Sequence, residues 1–440
     1  MNATSRFSTS VQAHLAVAVF CLGLLACATV AQAAERAAVI DIYGSGQNKA
    51  AISLAQPLGL SGAAAPPEGA TLQKYLQQNL SILPFLRLIS GSDIPGGDRL
   101  NGYKLEEVDF KRFQLVGSDY LVTAGWPEGS RSVELRAFQV FTGKLLVGKS
   151  YTDLSADKLP MVADMFCEAL MEVLTGHGEF FRSTLAFVRN TGGGSSNIFT
   201  IRPTGRELKQ LTTLKGQCMS PSWSPDGRLI AFTFITDRRH LLGVVDVASG
   251  RVNTYKLPTN TIISPTFTSG GKIAVSLSSG DVTDIVLLNS SFQVERKLVQ
   301  NGAINVSPRF DRSGSKMAYV SDRAGGPQVF MGEQRLTYEG SYNTDPSVSP
   351  DGDLVAFTRR TSDGFRIFIH DMASGRDTQA STGPGSDEQP AFAPDGYFLA
   401  FVSTRSGPRQ IFLTTRQAND AVALPLGGEA IFPAWFVPGK

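Results

Sequence analysis

Outside its first 33 residues the chain holds three histidines, His177, His240 and His370, and two cysteines, Cys167 and Cys218. A protein zinc site draws its ligands from spacings such as His-Glu-x-x-His or Cys-x-x-Cys, and neither occurs. The chain reads as lacking a Gly-x-Ser-x-Gly nucleophile elbow and a phosphate-cradling loop. Gly44-Ser-Gly46 follows an apolar run, but it lacks the third glycine of a dinucleotide loop and Pro57 comes before any helix, so it reads as a plain loop. Asp226, Asp351 and Asp395 invite an acid–base reading because they recur. They recur inside the same four-residue turn, however, which makes them architecture. His240 and His370 fall in predicted strands or turns and read as structural or exposed. No metal, cofactor or catalytic residue is expected.

The elements that carry these residues form a repeat. Its unit is a proline, a bulky residue two on, a turn, then a branched residue, Ala and a bulky residue. The copies begin Pro221-Ser-Trp-Ser-Pro-Asp-Gly, Pro265-Thr-Phe-Thr-Ser-Gly-Gly, Pro308-Arg-Phe-Asp-Arg-Ser-Gly, Pro346-Ser-Val-Ser-Pro-Asp-Gly and Pro390-Ala-Phe-Ala-Pro-Asp-Gly. The leading prolines lie 44, 43, 38 and 44 residues apart, the period of a four-stranded propeller blade. Ser224-Pro225-Asp226-Gly227 fits a type I turn, and Ile230-Ala-Phe-Thr233 has the branched and aromatic content of a strand. The 38-residue interval predicts a shortened hairpin around residues 328–336.

Pro433, in Phe432-Pro433-Ala-Trp-Phe-Val, opens a sixth copy whose second half lies far upstream, in Thr184-Leu-Ala186-Phe187-Val188. The expected fold is therefore an α/β N-terminal domain followed by an all-β six-bladed β-propeller of WD40-like repeats. One blade is split between the two ends of the propeller, which joins the ring and removes an open sheet edge. The domain reading is 1–33 leader, 34–178 mixed α/β, and 183–440 propeller. In the α/β part, residues 37–43, 86–89, 120–123 and 133–141 predict strands. Residues 72–80 and 159–174 predict helices, the second with Met161, Met165, Phe166, Leu170 and Val173 on its apolar side.

Residues 15–30 carry no charge, and Ala31-Gln32-Ala33 places small residues where a signal peptidase reads, so export with cleavage near Ala33 is expected. The competing pattern, Leu24-Leu25-Ala26-Cys27, would place a lipid on Cys27. Cys167 and Cys218 fall in different predicted domains and read as buried free thiols. A net charge of +2 gives no footprint for nucleic acid.

The junction Leu174-Thr-Gly176-His-Gly178-Glu-Phe180-Phe-Arg-Ser-Thr184-Leu-Ala-Phe-Val188, with the repeat and the leader, resembles the TolB family, periplasmic components of the Tol-Pal system. The resemblance implies a periplasmic, non-enzymatic adaptor between TolA and the lipoprotein Pal. In the family such an adaptor maintains the outer membrane, supports its invagination at division and has a role in bacteriocin import. Other outer-membrane lipoproteins and porins are further partners it admits. The TolA-binding segment would include Arg36, Val39, Ile40, Asp41 and Ile42. Pal would meet the loops before each leading proline, through Met219 and Ser220, Thr261, Ile263 and Ser264, Val306, Asn343, Thr344 and Asp345, and Asp387 and Glu388. The alternative is an exported propeller hydrolase or small-ligand-binding protein, which requires a cluster of acids or histidines in the channel.

Overall fold

The computed structural model describes residues 49–438, apart from 128–130, 238, 260 and 419. The leader and the segment Arg36, Val39, Ile40, Asp41 and Ile42 lie outside the described residues. The first sheet comprises β1 (Ala50–Leu54), β2 (Leu58–Gly59), β3 (Leu86–Ile89), β4 (Tyr120–Trp126), β5 (Val133–Gln139) and β6 (Leu145–Tyr151). Its order is β3-β1-β4-β5-β6, with β2 beside β4; β1 runs parallel to β3 and β4, β2 runs parallel to β4, and β4-β5-β6 are antiparallel. Along β5, Val133, Leu135 and Ala137 are buried while Glu134 and Arg136 are half-exposed, the alternation of a sheet with one covered face.

Two helices cover that face, α1 (Pro67–Ser81) and α3 (Leu159–Thr175); the short α2 (Lys111–Leu115) lies elsewhere. Pro67 opens α1, where its missing N–H costs nothing. Gly176 closes α3 at φ 75°, and its N–H donates to Glu172 O. Leu72, Leu76 and Leu80 of α1 pack with Val162, Phe166 and Leu170 of α3 in one core. The apolar side expected for α3 is only half correct. Phe166 and Leu170 are buried, but Met161, Met165 and Val173 are exposed. The helix is apolar around more of its circumference than one sheet and one neighbouring helix can cover.

From Thr184 onward the described residues form six four-stranded antiparallel blades, of which blades 1 and 6 are joined by one parallel pairing, Gln217 with Ser196. Blades 1 to 5 begin with the strands Gln217–Trp223, Ile262–Phe267, Asn305–Phe310, Asn343–Val348 and Asp387–Phe392. Blade 6 takes its innermost strand, Ile431–Phe436, from the far end of the ring. That strand runs antiparallel to Thr184–Gly192, with Ala434 opposite Ala186 and Trp435 opposite Leu185. In blade 3, Gln328–Met331 and Gln334–Arg335 are joined by two residues only, the shortened hairpin that the 38-residue interval predicts. The repeated turn closes as expected, with Gly227 N–H on Ser224 O, Gly352 on Ser349 O and Gly396 on Ala393 O.

Antiparallel blades send their turns alternately to two ends of the ring. The Asp-Gly turns lie at one end, and the segments before each leading proline lie at the other, the mouth. The α/β domain packs on the Asp-Gly end of blades 5 and 6. Phe85 meets Tyr397 edge-on at 6.0 Å, and Phe180 lies 4.2 Å from Phe398 and 5.8 Å from Trp435. Arg206, from blade 6, reaches back to Asp164 of α3 and Asn79 of α1, while Arg202 donates to Phe181 O and Arg182 O.

Candidate functional site

The innermost strand of every blade breaks register at its leading proline. The shift falls between Met219 and Ser222, Ile263 and Thr266, Val306 and Arg309, Thr344 and Ser347, Glu388 and Ala391, and Ile431 and Ala434. A β-bulge of this kind re-aims one side chain. The residue just before the proline is left-handed in all six blades: Ser220, Ser264, Ser307, Asp345, Gln389 and Phe432 have φ between 50° and 58°. Such torsions are sparse for non-glycine residues, and a following proline favours extended backbone instead. Six copies of one strained torsion form a ring around the central cavity, whose lining includes all six residues and whose volume is about 400 Å³.

The ring is chemically uneven. Ser264 Oγ lies 3.5 Å from both Ser220 Oγ and Ser307 Oγ, so three neighbouring blades present a hydroxyl arc. One step deeper, Arg309 of blade 3 donates through Nη1 to Thr266 Oγ1 at 2.8 Å and to Pro308 O at 2.9 Å. Asp345 accepts from the Thr344 hydroxyl at 3.2 Å. Gln389 Oε1 accepts from Phe432 N–H at 2.8 Å. Burial pushes the Asp345 carboxyl above its ordinary range, against the pull of Thr344 and Arg309. Burial lowers the Arg309 guanidinium, with Asp345 opposing it. Glu388 is raised by burial and by the neighbouring Asp345 charge.

Of the residues singled out at the mouth, Met219, Ser220, Ile263, Ser264 and Asp345 line the cavity. Thr261, Val306, Thr344 and Glu388 are half-buried at its rim. Asn343 and Asp387 do not present themselves, each being 0% exposed. Asn343 accepts from Arg359 Nε and donates to Gln328 Oε1, and Asp387 takes a two-oxygen bond from Arg405 Nη2. Both pin their loops from inside.

Sequence reading placed Ser307, Gln389 and Phe432 only at the ends of the loops before the leading prolines, without singling them out, and passed over Arg309. The available signal was position. The residue before the leading proline is serine in blades 1 to 3 and changes to Asp345, Gln389 and Phe432 in blades 4 to 6, while the proline repeats. Arg309 stands where the other blades carry Ser222, Thr266, Ser347, Ala391 and Ala434.

One spacing overturns the reading that no phosphate-loop pattern is present. Gly143-Lys-Leu-Leu-Val-Gly148-Lys149-Ser150 has the spacing Gly-x-x-x-x-Gly-Lys-Ser. It lies in the β5–β6 hairpin, with Leu145–Tyr151 a strand, so the helix N-terminus that such a loop needs is replaced by sheet. His240 is half-buried with Nδ1 3.3 Å from Ile262 O, and His370 is buried with Nδ1 2.7 Å from Asp377 Oδ1; neither lines the cavity. Cys167 and Cys218 are free and buried, and burial pushes the Cys218 thiol up to about 12.

The family model described as the TolB beta propeller domain matches residues 171–439. The Tol-Pal system protein TolB of Nitratidesulfovibrio vulgaris is 49% identical over 309 residues, which is 69% of this chain and 70% of that protein. A protein TolB homolog of Chlorobium luteolum is 29% identical over 297 residues, 66% of each chain. The crystal structure of TolB from Acinetobacter baumannii superposes with a TM-score of 0.73 at 20% identity, covering 88% of this chain and 97% of that one, a likeness of fold. With the six blades, the split blade and the preceding α/β sheet in place, these matches lead to one conclusion: the chain belongs to the TolB family.

Proposed function

We propose that this chain is a non-enzymatic adaptor of a Tol-Pal system in the periplasm, and that its mouth receives Pal. One arrangement carries the reading: the mouth residues differ from blade to blade, whereas the turns at the opposite end repeat and are partly covered by the α/β domain. Loops that vary on a constant scaffold are where proteins place recognition. Thr261, Val306, Thr344 and Glu388 form the rim of the contact, with Met219, Ser220, Ile263, Ser264 and Asp345 below it. The segment from Arg36 to Ile42 serves TolA. Outer-membrane maintenance, invagination at division and bacteriocin import follow from holding the two partners together.

The test is calorimetric titration of the purified chain with Pal from the same source. Binding is expected, and Thr261→Arg should weaken it at least about ten-fold by placing a long charged side chain on the rim. Absence of binding by the unaltered chain would overturn the reading. A second reading, a small ligand held in the channel, is favoured by Arg309 and Asp345 sharing one cavity.

A further inference from the structure

Arg309 and Asp345 belong to adjacent blades and line the same cavity, yet they make no ion pair within 4.0 Å among the described residues. Each is held by its own hydrogen bonds. Arg309 is drawn toward blade 2 by Thr266 Oγ1, and Asp345 is held on blade 4 by Thr344. The Nε and Nη2 groups of Arg309 have no hydrogen-bond partner among the described residues. The guanidinium is half-buried on the cavity wall, and its two free donors match the two oxygens of a carboxylate. The serine hydroxyls at 220, 264 and 307 stand above it as further donors. Asp345 offers the complementary pole, an acceptor for a cation. Phe432, beside Ser220 in the ring, adds an apolar wall.

We propose that the channel binds a small zwitterion of the α-amino-acid class, its carboxylate on Arg309 and the serine arc, its ammonium on Asp345. Two fixed, opposite poles that form no direct ion pair are complementary to a ligand that carries the opposite poles on neighbouring atoms. A volume of about 400 Å³ lies at the small end of ligand pockets and suits a molecule of this size. The ring of left-handed residues gives the poles rigid positions, because strained torsions persist only where the surroundings over-determine them. The proposal rests on the second reading above, and its site shares Ser220, Ser264 and Asp345 with the proposed Pal contact.

The experiment is calorimetry or saturation-transfer NMR on the full chain with three probes: leucine, N-acetyl-leucine, which lacks the ammonium, and leucinamide, which lacks the carboxylate. Leucine is expected to bind, and each single-pole probe to bind about ten-fold more weakly or worse, the loss of one charge-assisted bond. Arg309→Met should erase the advantage of leucine over leucinamide. Asp345→Asn, which tolerates the left-handed torsion, should erase its advantage over N-acetyl-leucine. Equal binding of all three probes, or no binding of leucine by the unaltered chain, overturns the proposal. The comparison among probes needs no variant, so a variant that fails to fold leaves it decidable. Pal binding measured on the same preparation separates this outcome from that of the adaptor reading.

Discussion

The indole Nε1 of Trp435 donates to the carbonyl oxygen of Ala391 at 3.1 Å, so the innermost strand of the split blade is bonded to the blade before it. Trp223 Nε1 repeats the bond one blade on, to Ala434 O at 3.1 Å, and its ring stacks on Phe436 at 5.1 Å. The split blade is thus tied on both sides by a tryptophan.

Trp435→Ala removes a ring packed on Phe180 and one of these ties. A loss of about 3 kcal/mol is expected in denaturant unfolding. Deleting residues 431–440 removes the whole pairing to Thr184–Gly192 and should lower the melting temperature further. An unchanged melting temperature in the deletion would contradict ring closure through this strand.

The left-handed ring makes opposite predictions for two substitutions at one position. Ser264→Gly relieves the torsion and should change stability by no more than about 1 kcal/mol. Ser264→Val places a β-branched side chain at a φ of 50° and should cost about 1–3 kcal/mol. Chemical unfolding of the pair distinguishes backbone strain from loss of the hydroxyl, since both variants lack it.

Arg206 joins the two domains through Asp164 and Asn79 and lies 5.3 Å over the Tyr75 ring. In Arg206→Ala, Asp164 keeps Arg202 at 3.7 Å, which limits the cost to about 1–2 kcal/mol. The loss falls on the domain interface. Calorimetry should show the single transition broaden or split, and limited proteolysis should cut sooner within residues 176–183.

Asp395, in the Asp-Gly turn beneath the α/β domain, has its carboxyl pushed from near 3.8 up to about 6, chiefly by burial. Its Oδ2 is buried with no partner among the described residues. A raised carboxyl favours the folded state while protonated. That contribution is complete below about pH 3.8 and is lost as the pH rises through about 6. Asp395→Asn keeps the Oδ1 acceptor for the N–H groups of Tyr397 and Phe398 and removes the charge. It should stabilise the chain by about 1–2 kcal/mol at pH 7 and by nothing near pH 4, read from melting curves at the two values.

The blades were legible because their determinants are local. Ser224-Pro-Asp-Gly227 specifies a turn within four residues, and the branched and aromatic run after it specifies the next strand. The mouth was harder to read because its determinants are distant. Asn343 and Asp387 look like exposed polar loop residues, but Arg359, on the strand paired with that of Asn343, and Arg405, in the turn after the strand paired with that of Asp387, fold over and enclose them. The left-handed torsion of Ser220 and its five counterparts arises from the bulge that turns each inner strand toward the channel, which serine, glutamine or phenylalanine does not announce. Arg309 was hidden by sitting inside a copy of the scaffold motif.

The α/β domain enters the ring through Phe180–Arg182 and then the strand Thr184–Gly192, which is hydrogen-bonded on one side to Ser195–Ile201 and on the other to Ile431–Phe436. Antiparallel hydrogen bonds lie across the strand direction, so a pull along that strand shears many of them at once instead of unzipping them singly. The mouth lies at the other end of the axis. A load applied between the two ends would therefore run lengthwise through the split blade, and the strand that completes the ring would share that tension.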